Sequence, residues 1–127
     1  KLALIRNHTD KLCKFYTFTG FNHDNPGVYS DEFWAKDIVD LFERIRILMS
    51  YRCLPYVMRF KDYELSPYRG MYINIARWCN QPSFFKKKTF REFCHINGEN
   101  SACMKYANEF EKKFPKVAEK YFDIRWQ

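Results

Sequence analysis

Between Asp31 and Ser50, apolar residues recur at spacings of three and four. Trp34, Ile38, Leu41, Phe42, Ile45, Leu48 and Met49 therefore fall on one stripe, which predicts a helix of about five turns with a single buried face. Ser30 is placed to cap it, Asp31 and Glu32 suit the positive end of its dipole, and Asp40 and Arg44 form an i,i+4 pair on its wet face. Two short runs of β-branched and aromatic residues flank this helix, Lys14–Thr19 (KFYTFT) and Leu54–Phe60 (LPYVMRF). Both read as strands. Between the first strand and the helix, Gly20–Tyr29 (GFNHDNPGVY) has the composition of a loop. Strand, helix, strand predicts a right-handed parallel βαβ unit. The consecutive apolar positions Tyr56, Val57 and Met58 predict a second strand covered on both faces. Ahead of this unit, Leu2 to about His8 reads as the end of a helix.

Everything after the second strand reads as helix. Ser66-Pro67 is an N-cap and N1 pair for a helix to about Trp78, which Asn80-Gln81-Pro82 ends. Thr89-Phe90-Arg91-Glu92 is a capping box for a short helix closing near Gly98. Ser101 starts a helix to about Phe114, and Pro115 opens a last one to about Phe122. The expected fold class is α/β: a βαβ unit over about 11–60 and a helical remainder over about 66–124. No repeat or linker divides residues 1–127, which suit one domain.

Hydrophobic residues make up 46% of the chain and aromatics 20%, enough for a core. Thirteen Phe, nine Tyr and three Trp exceed what a domain of this size buries, so an aromatic surface is expected, and such patches mark ligand or partner sites. No apolar run reaches the roughly 18 residues of a bilayer span. The five cysteines, Cys13, Cys53, Cys79, Cys94 and Cys103, form no C-x-x-C pair. They read as reduced, mostly buried thiols of a cytoplasmic protein.

The formal net charge is +7. From Arg52 to Arg91 there are nine basic residues against Asp62 and Glu64, whereas the rest of the chain is balanced. Tyr56, Phe60, Tyr63, Tyr68, Tyr72, Trp78, Phe84 and Phe85 are interleaved with these cations. The pattern suits phosphate contacts with base stacking, and equally a protein interface. It also suits a solvated helix face over core aromatics. The residues expected on such a binding face are Arg69, Arg77, Trp78, Lys86, Lys87, Lys88 and Arg91.

No phosphate loop, dinucleotide fingerprint, H-E-x-x-H or G-x-S-x-G is present. His8, His23 and His95 are far apart, and Cys94-His95 with Cys103 lacks a fourth metal ligand. Asn22, His23 and Asp24 follow the first strand, and Arg59 ends the second. Ligands of α/β folds bind beyond the carboxyl ends of parallel strands, which makes these four the ligand-facing candidates. The competing reading is an Asx-type turn beside a surface arginine.

Leu54–Phe60 together with Ser66-Pro67-Tyr68-Arg69-Gly70-Met71-Tyr72-Ile73-Asn74-Ile75-Ala76-Arg77-Trp78-Cys79-Asn80-Gln81-Pro82 resembles the C-terminal part of radical-SAM-like proteins of anaerobic gut bacteria. Phe18-Thr19-Gly20-Phe21-Asn22 and Phe42-Glu43-Arg44-Ile45 fit the same resemblance, which runs from about Lys11 to Trp126. It implies the later β/α units of a partial TIM-type barrel, with Asn22 and Arg59 at its catalytic mouth, and a helical tail. The family's C-x-x-x-C-x-x-C motif is absent, since successive cysteines are 40, 26, 15 and 9 residues apart. Three thiolates are needed to hold a [4Fe–4S] cluster in that family's manner. S-adenosylmethionine and the cluster are thus expected only with a missing N-terminal half-barrel, and this chain alone is expected to lack cofactors and catalysis. The alternative is a small basic, aromatic-rich protein docking on nucleic acid or a nucleoprotein, for example a nuclease inhibitor of the anti-CRISPR kind, by analogy of size and charge.

Overall fold

The computed structural model describes residues 14–127. The expected helix over Leu2–His8 lies outside them, as does Cys13. Strand β1 (Lys14–Thr19) and strand β2 (Leu54–Arg59) pair in parallel, with Lys14 opposite Leu54 and Thr19 opposite Arg59. Helix α1 (Asp31–Ser50) crosses between them. The seven residues of its predicted stripe are all buried, and the Ser30 hydroxyl accepts from Phe33 N at 3.1 Å. The expected Asp40–Arg44 ion pair does not form. Asp40 pairs with Lys36 at 3.1 Å, while Arg44 Nη1 reaches back to the Phe18 carbonyl at 2.7 Å.

After β2 the chain makes a 3-10 turn (Lys61–Leu65), then helices α2 (Arg69–Cys79), α3 (Pro82–Phe85), α4 (Phe90–Cys94), α5 (Ala102–Lys113) and α6 (Pro115–Tyr121). Ser66 does not cap α2, which begins two residues later than predicted. Its hydroxyl instead closes a turn by accepting from Tyr68 N at 2.9 Å. The Thr89 capping box forms in both directions, but α4 stops at Cys94, four residues short of Gly98. Ser101 caps α5 through Met104 N.

The core lies between α1, α2 and the C-terminal helices. Phe42, Phe90 and Phe122 pack against one another at ring-centroid distances of 5.0–5.7 Å, and Trp78 packs on Phe85 and Phe90. At Gly70 α2 lies against α5, and even a methyl group there would overlap the ring of Tyr106.

The sheet departs from expectation. Thr17, Thr19 and Val57 point towards the helices and are buried, but among the described residues the opposite face is covered at Leu54, half-covered at Tyr56 and open at Tyr16, Phe18 and Met58. Tyr16 is 67% exposed and Phe18 61%, with Met58 beside them. The consecutive apolar residues of β2 therefore do not report a second covering layer among the described residues.

The outer edge of β2 is closed by a side chain. Phe60 N donates to Thr19 O at 2.8 Å, so by the alternation of a parallel ladder the amide and carbonyl of Val57 point away from β1. Asn80, at the C-cap of α2, meets both. Its Oδ1 accepts from Val57 N at 2.7 Å and its Nδ2 donates to Val57 O at 3.0 Å. Pro55, the next outward-facing position, has no amide hydrogen to offer.

Candidate functional site

At the carboxyl end of β1 a cavity of about 520 Å³ opens, lined by Phe18, Thr19, Phe21, His23, Phe60 and the α1 residues Asp37, Asp40, Glu43 and Arg44. A smaller one of about 310 Å³ adjoins it through Phe21, His23, Asp37 and Asp40, and adds Asn22, Asp24 and Lys36. The helical period puts Asp37, Asp40 and Arg44 on one side of α1, directly above the strand end.

Asp37 anchors the wall. Its Oδ2 accepts from Thr19 Oγ1 at 2.8 Å, from Gly20 N at 2.9 Å and from the Tyr72 hydroxyl at 2.6 Å. One carboxylate thus ties the end of β1, the start of the loop and α2 to α1. Burial, then the Asp37 charge, pushes the Tyr72 hydroxyl far above its ordinary range, so it stays a donor. Beyond it the Tyr29 hydroxyl donates to Asp62. Partial burial and that bond raise Tyr29 to about 12. Gly20 has φ +85°, a backbone that only glycine adopts without strain, where the chain turns against Phe60 and Tyr63. On the far rim, hydrogen bonds from Arg46 and then Tyr121 hold the Glu43 carboxyl at about 2. The cavity therefore combines three phenyl rings, one imidazole, one guanidinium and three carboxylates, a setting for a ligand with a flat apolar part and a polar or cationic part.

Of the four ligand-facing candidates, the structure brings three together. Asn22, His23 and Asp24 line the smaller cavity, with His23 edge-on to Phe21 at 4.9 Å. Asn22 is nonetheless committed to its own loop: Oδ1 accepts from Asp24 N and Asn25 N, and Nδ2 donates to Val28 O. Arg59 lines neither cavity and lies over the Tyr63 ring at 4.8 Å.

The predicted basic face is not continuous. Trp78 is 0% exposed and its Nε1 donates to Lys88 O, so it belongs to the core. Arg91 is held bidentate by Glu111 at 2.9 and 3.0 Å and by Asp123 at 3.0 Å. Arg69 opens α2 while Lys88 adjoins its last turn, about 14 Å apart along the axis at 1.5 Å per residue. Arg77 is exposed over Phe93. What remains together is Lys86, Lys87 and Lys88, with Lys86 over Trp126 at 5.9 Å; no ion pair holds these three among the described residues.

The sequence pattern did not point to Asp37, and it gave Arg44, Tyr72 and Asn80 other roles, as an ion-pair partner, an interleaved aromatic and a helix end. Asp37 and Tyr72 sit beside apolar stripes, and their roles come from an inter-element distance that periodicity does not encode. No described helix is long and apolar enough to cross a membrane, and no three His, Cys, Asp or Glu among the described residues converge as metal ligands. No family model, curated protein or solved structure matches the chain.

Proposed function

We propose that this chain supplies late β/α units of a radical-SAM-like barrel, contributing part of its wall and mouth but no catalysis of its own. The observation that carries the reading is the parallel pair with helices on one face and, among the described residues, Tyr16, Phe18 and Met58 exposed on the other. Parallel sheets occur almost only with both faces covered, and in a barrel the inward face is filled by side chains from the other strands. The closed outer edge of β2 agrees with β2 as the last strand, further strands adding beside β1. The cavity at the strand ends then belongs to the mouth, and S-adenosylmethionine and the cluster would be held by segments carrying the cysteine motif.

The test is the protein as its natural host makes it. The expected result is a longer polypeptide with a C-x-x-x-C-x-x-C motif, in which Tyr16 and Phe18 are shielded from hydroxyl-radical footprinting. A monomeric native polypeptide of 127 residues with both side chains reactive would overturn the proposal.

A second reading, binding of single-stranded nucleic acid, is favoured by the lysine cluster beside Trp126 alone. Three phosphate contacts give a slope of log K against log salt of about −2. Fluorescence anisotropy across a salt series measures it, and substitution of Lys86, Lys87 and Lys88 by alanine removes the binding. Binding unaltered by the triple substitution sinks this reading.

A further inference from the structure

The larger strand-end cavity holds two charges that the fold does not match with opposite ones. Of the four charged side chains lining it, Asp40 pairs with Lys36 at 3.1 Å and Glu43 with Arg46. Asp37 and Arg44 have no ion-pair partner among the described residues. The donors to Asp37 are the Thr19 hydroxyl, the Gly20 amide and the Tyr72 hydroxyl, all neutral and all on Oδ2. Oδ1 accepts from none of them. No buried side-chain oxygen among the described residues lacks a partner, so Oδ1 is open, and Asp37 lines both cavities. Arg44 donates from Nε to the Asp40 carbonyl at 3.4 Å and from Nη1 to the Phe18 carbonyl at 2.7 Å, which leaves Nη2 over. Seven residues apart on α1, the two side chains share a face. Asp37 meets the chain at Gly20 N and Arg44 meets it at Phe18 O. Two residues of extended chain set these points about 7 Å apart, at roughly 3.3 Å per residue. Beside them lie Phe18, Phe21 and Phe60, with Phe21 edge-on to Phe60 at 4.6 Å.

We propose that this cavity binds a free α-amino acid with an aromatic side chain. Its ammonium donates to Asp37 Oδ1, its carboxylate accepts from Arg44 Nη2, and its ring packs among Phe18, Phe21 and Phe60. The charges select the zwitterion. A plain amine would leave the Arg44 guanidinium unmatched, and a plain carboxylate would face Asp37. An ammonium and a carboxylate on the same carbon bridge the gap, with one charge-assisted bond of about 2.8 Å at each end. The rings select the side chain, because a third ring meets the Phe21–Phe60 pair edge-on or offset. The volume of about 520 Å³ suits a small ligand. Asp37 and Arg44 are already held by their bonds to the strand end, so binding orders little that was loose. Every group involved belongs to this chain, so the proposal is independent of the barrel reading, and neither test decides the other.

The experiment is isothermal titration calorimetry of the full chain with L-phenylalanine. Phenethylamine lacks the carboxylate, hydrocinnamate lacks the amine and glycine lacks the ring. Phenylalanine is expected to bind with Kd of about 1 mM or tighter, and each of the other three more weakly by about tenfold or more. Arg44→Gln keeps a donor for the Phe18 carbonyl but removes the charge. It is expected to abolish the preference for phenylalanine over phenethylamine. The ligand series needs only the unaltered protein, so it decides the matter even if that variant unfolds. No saturable binding of phenylalanine up to about 10 mM overturns the proposal. Phenethylamine binding as tightly as phenylalanine also overturns it, leaving a site for cations only. So does a folded Arg44→Gln variant that keeps the preference.

Discussion

Asp37→Ala tests whether one carboxylate organises the strand end. The substitution removes three hydrogen bonds to a charged acceptor and leaves the buried Tyr72 hydroxyl and the buried Thr19 hydroxyl without that partner. Bonds to charged groups contribute about 1.5–3 kcal/mol each, and an orphaned buried donor costs about 1–3 kcal/mol. These terms overlap, because the losses describe the same contacts from two sides. The expected destabilisation is therefore about 3–5 kcal/mol, a large share of the roughly 5–15 kcal/mol typical of a domain. Tyr72→Phe removes one bond without stranding a donor, so it is expected to cost about 1–2 kcal/mol. Urea unfolding of both single variants and the double variant gives the coupling directly, expected at about 1–2 kcal/mol. An Asp37→Ala cost below about 0.5 kcal/mol, or a double variant whose cost is the plain sum of the two, would refute the network.

Gly70→Ala sets helix propensity, worth up to about 1 kcal/mol, against overlap with the Tyr106 ring, for which overpacking costs about 1–3 kcal/mol. Overlap at the base of the ring wins, so thermal unfolding is expected to show a net loss of about 1–2 kcal/mol; a stabilised variant would mean that α2 and α5 lie further apart. Tyr29 is raised from 10.0 to about 12, so its neutral form is favoured by folding. Its contribution is complete below pH 10 and fades as pH rises to 12. Urea midpoints are expected to fall over that window, and Tyr29→Phe to flatten the fall; an unchanged slope refutes the assignment.

The local grammar of the chain was legible wherever one residue class repeats or caps. The α1 stripe, the two strands and the Thr89 box were readable because period and capping act over a few residues. Ser66-Pro67 misled because the same dipeptide serves a turn as well as a cap, and the chain used the turn. Trp78 misled for another reason: its arginine and lysine neighbours in sequence share no face with it, since the last turn of α2 points the indole inwards. Arg91 is exposed in composition but spent in space, on carboxylates 20 and 32 residues away. The cavity was half legible. His23 and Asp24 follow from the rule that ligands sit beyond strand ends, whereas Asp37 and Arg44 enter it from a helix whose facing is set by packing.

The Asn80 amide also decides how copies of this chain can meet. Head-to-tail growth would need the β1 edge of one copy to pair with the β2 edge of the next, the arrangement that runs on without end into fibres. With Val57 already engaged and Pro55 lacking a donor, the middle of that second edge is closed to a ladder. Among the described residues the β1 edge is the one left for pairing, and two identical edges related by a two-fold axis run antiparallel and stop at two. Among the described residues, a single amide side chain thereby disfavours end-to-end growth of the sheet relative to association that closes on itself.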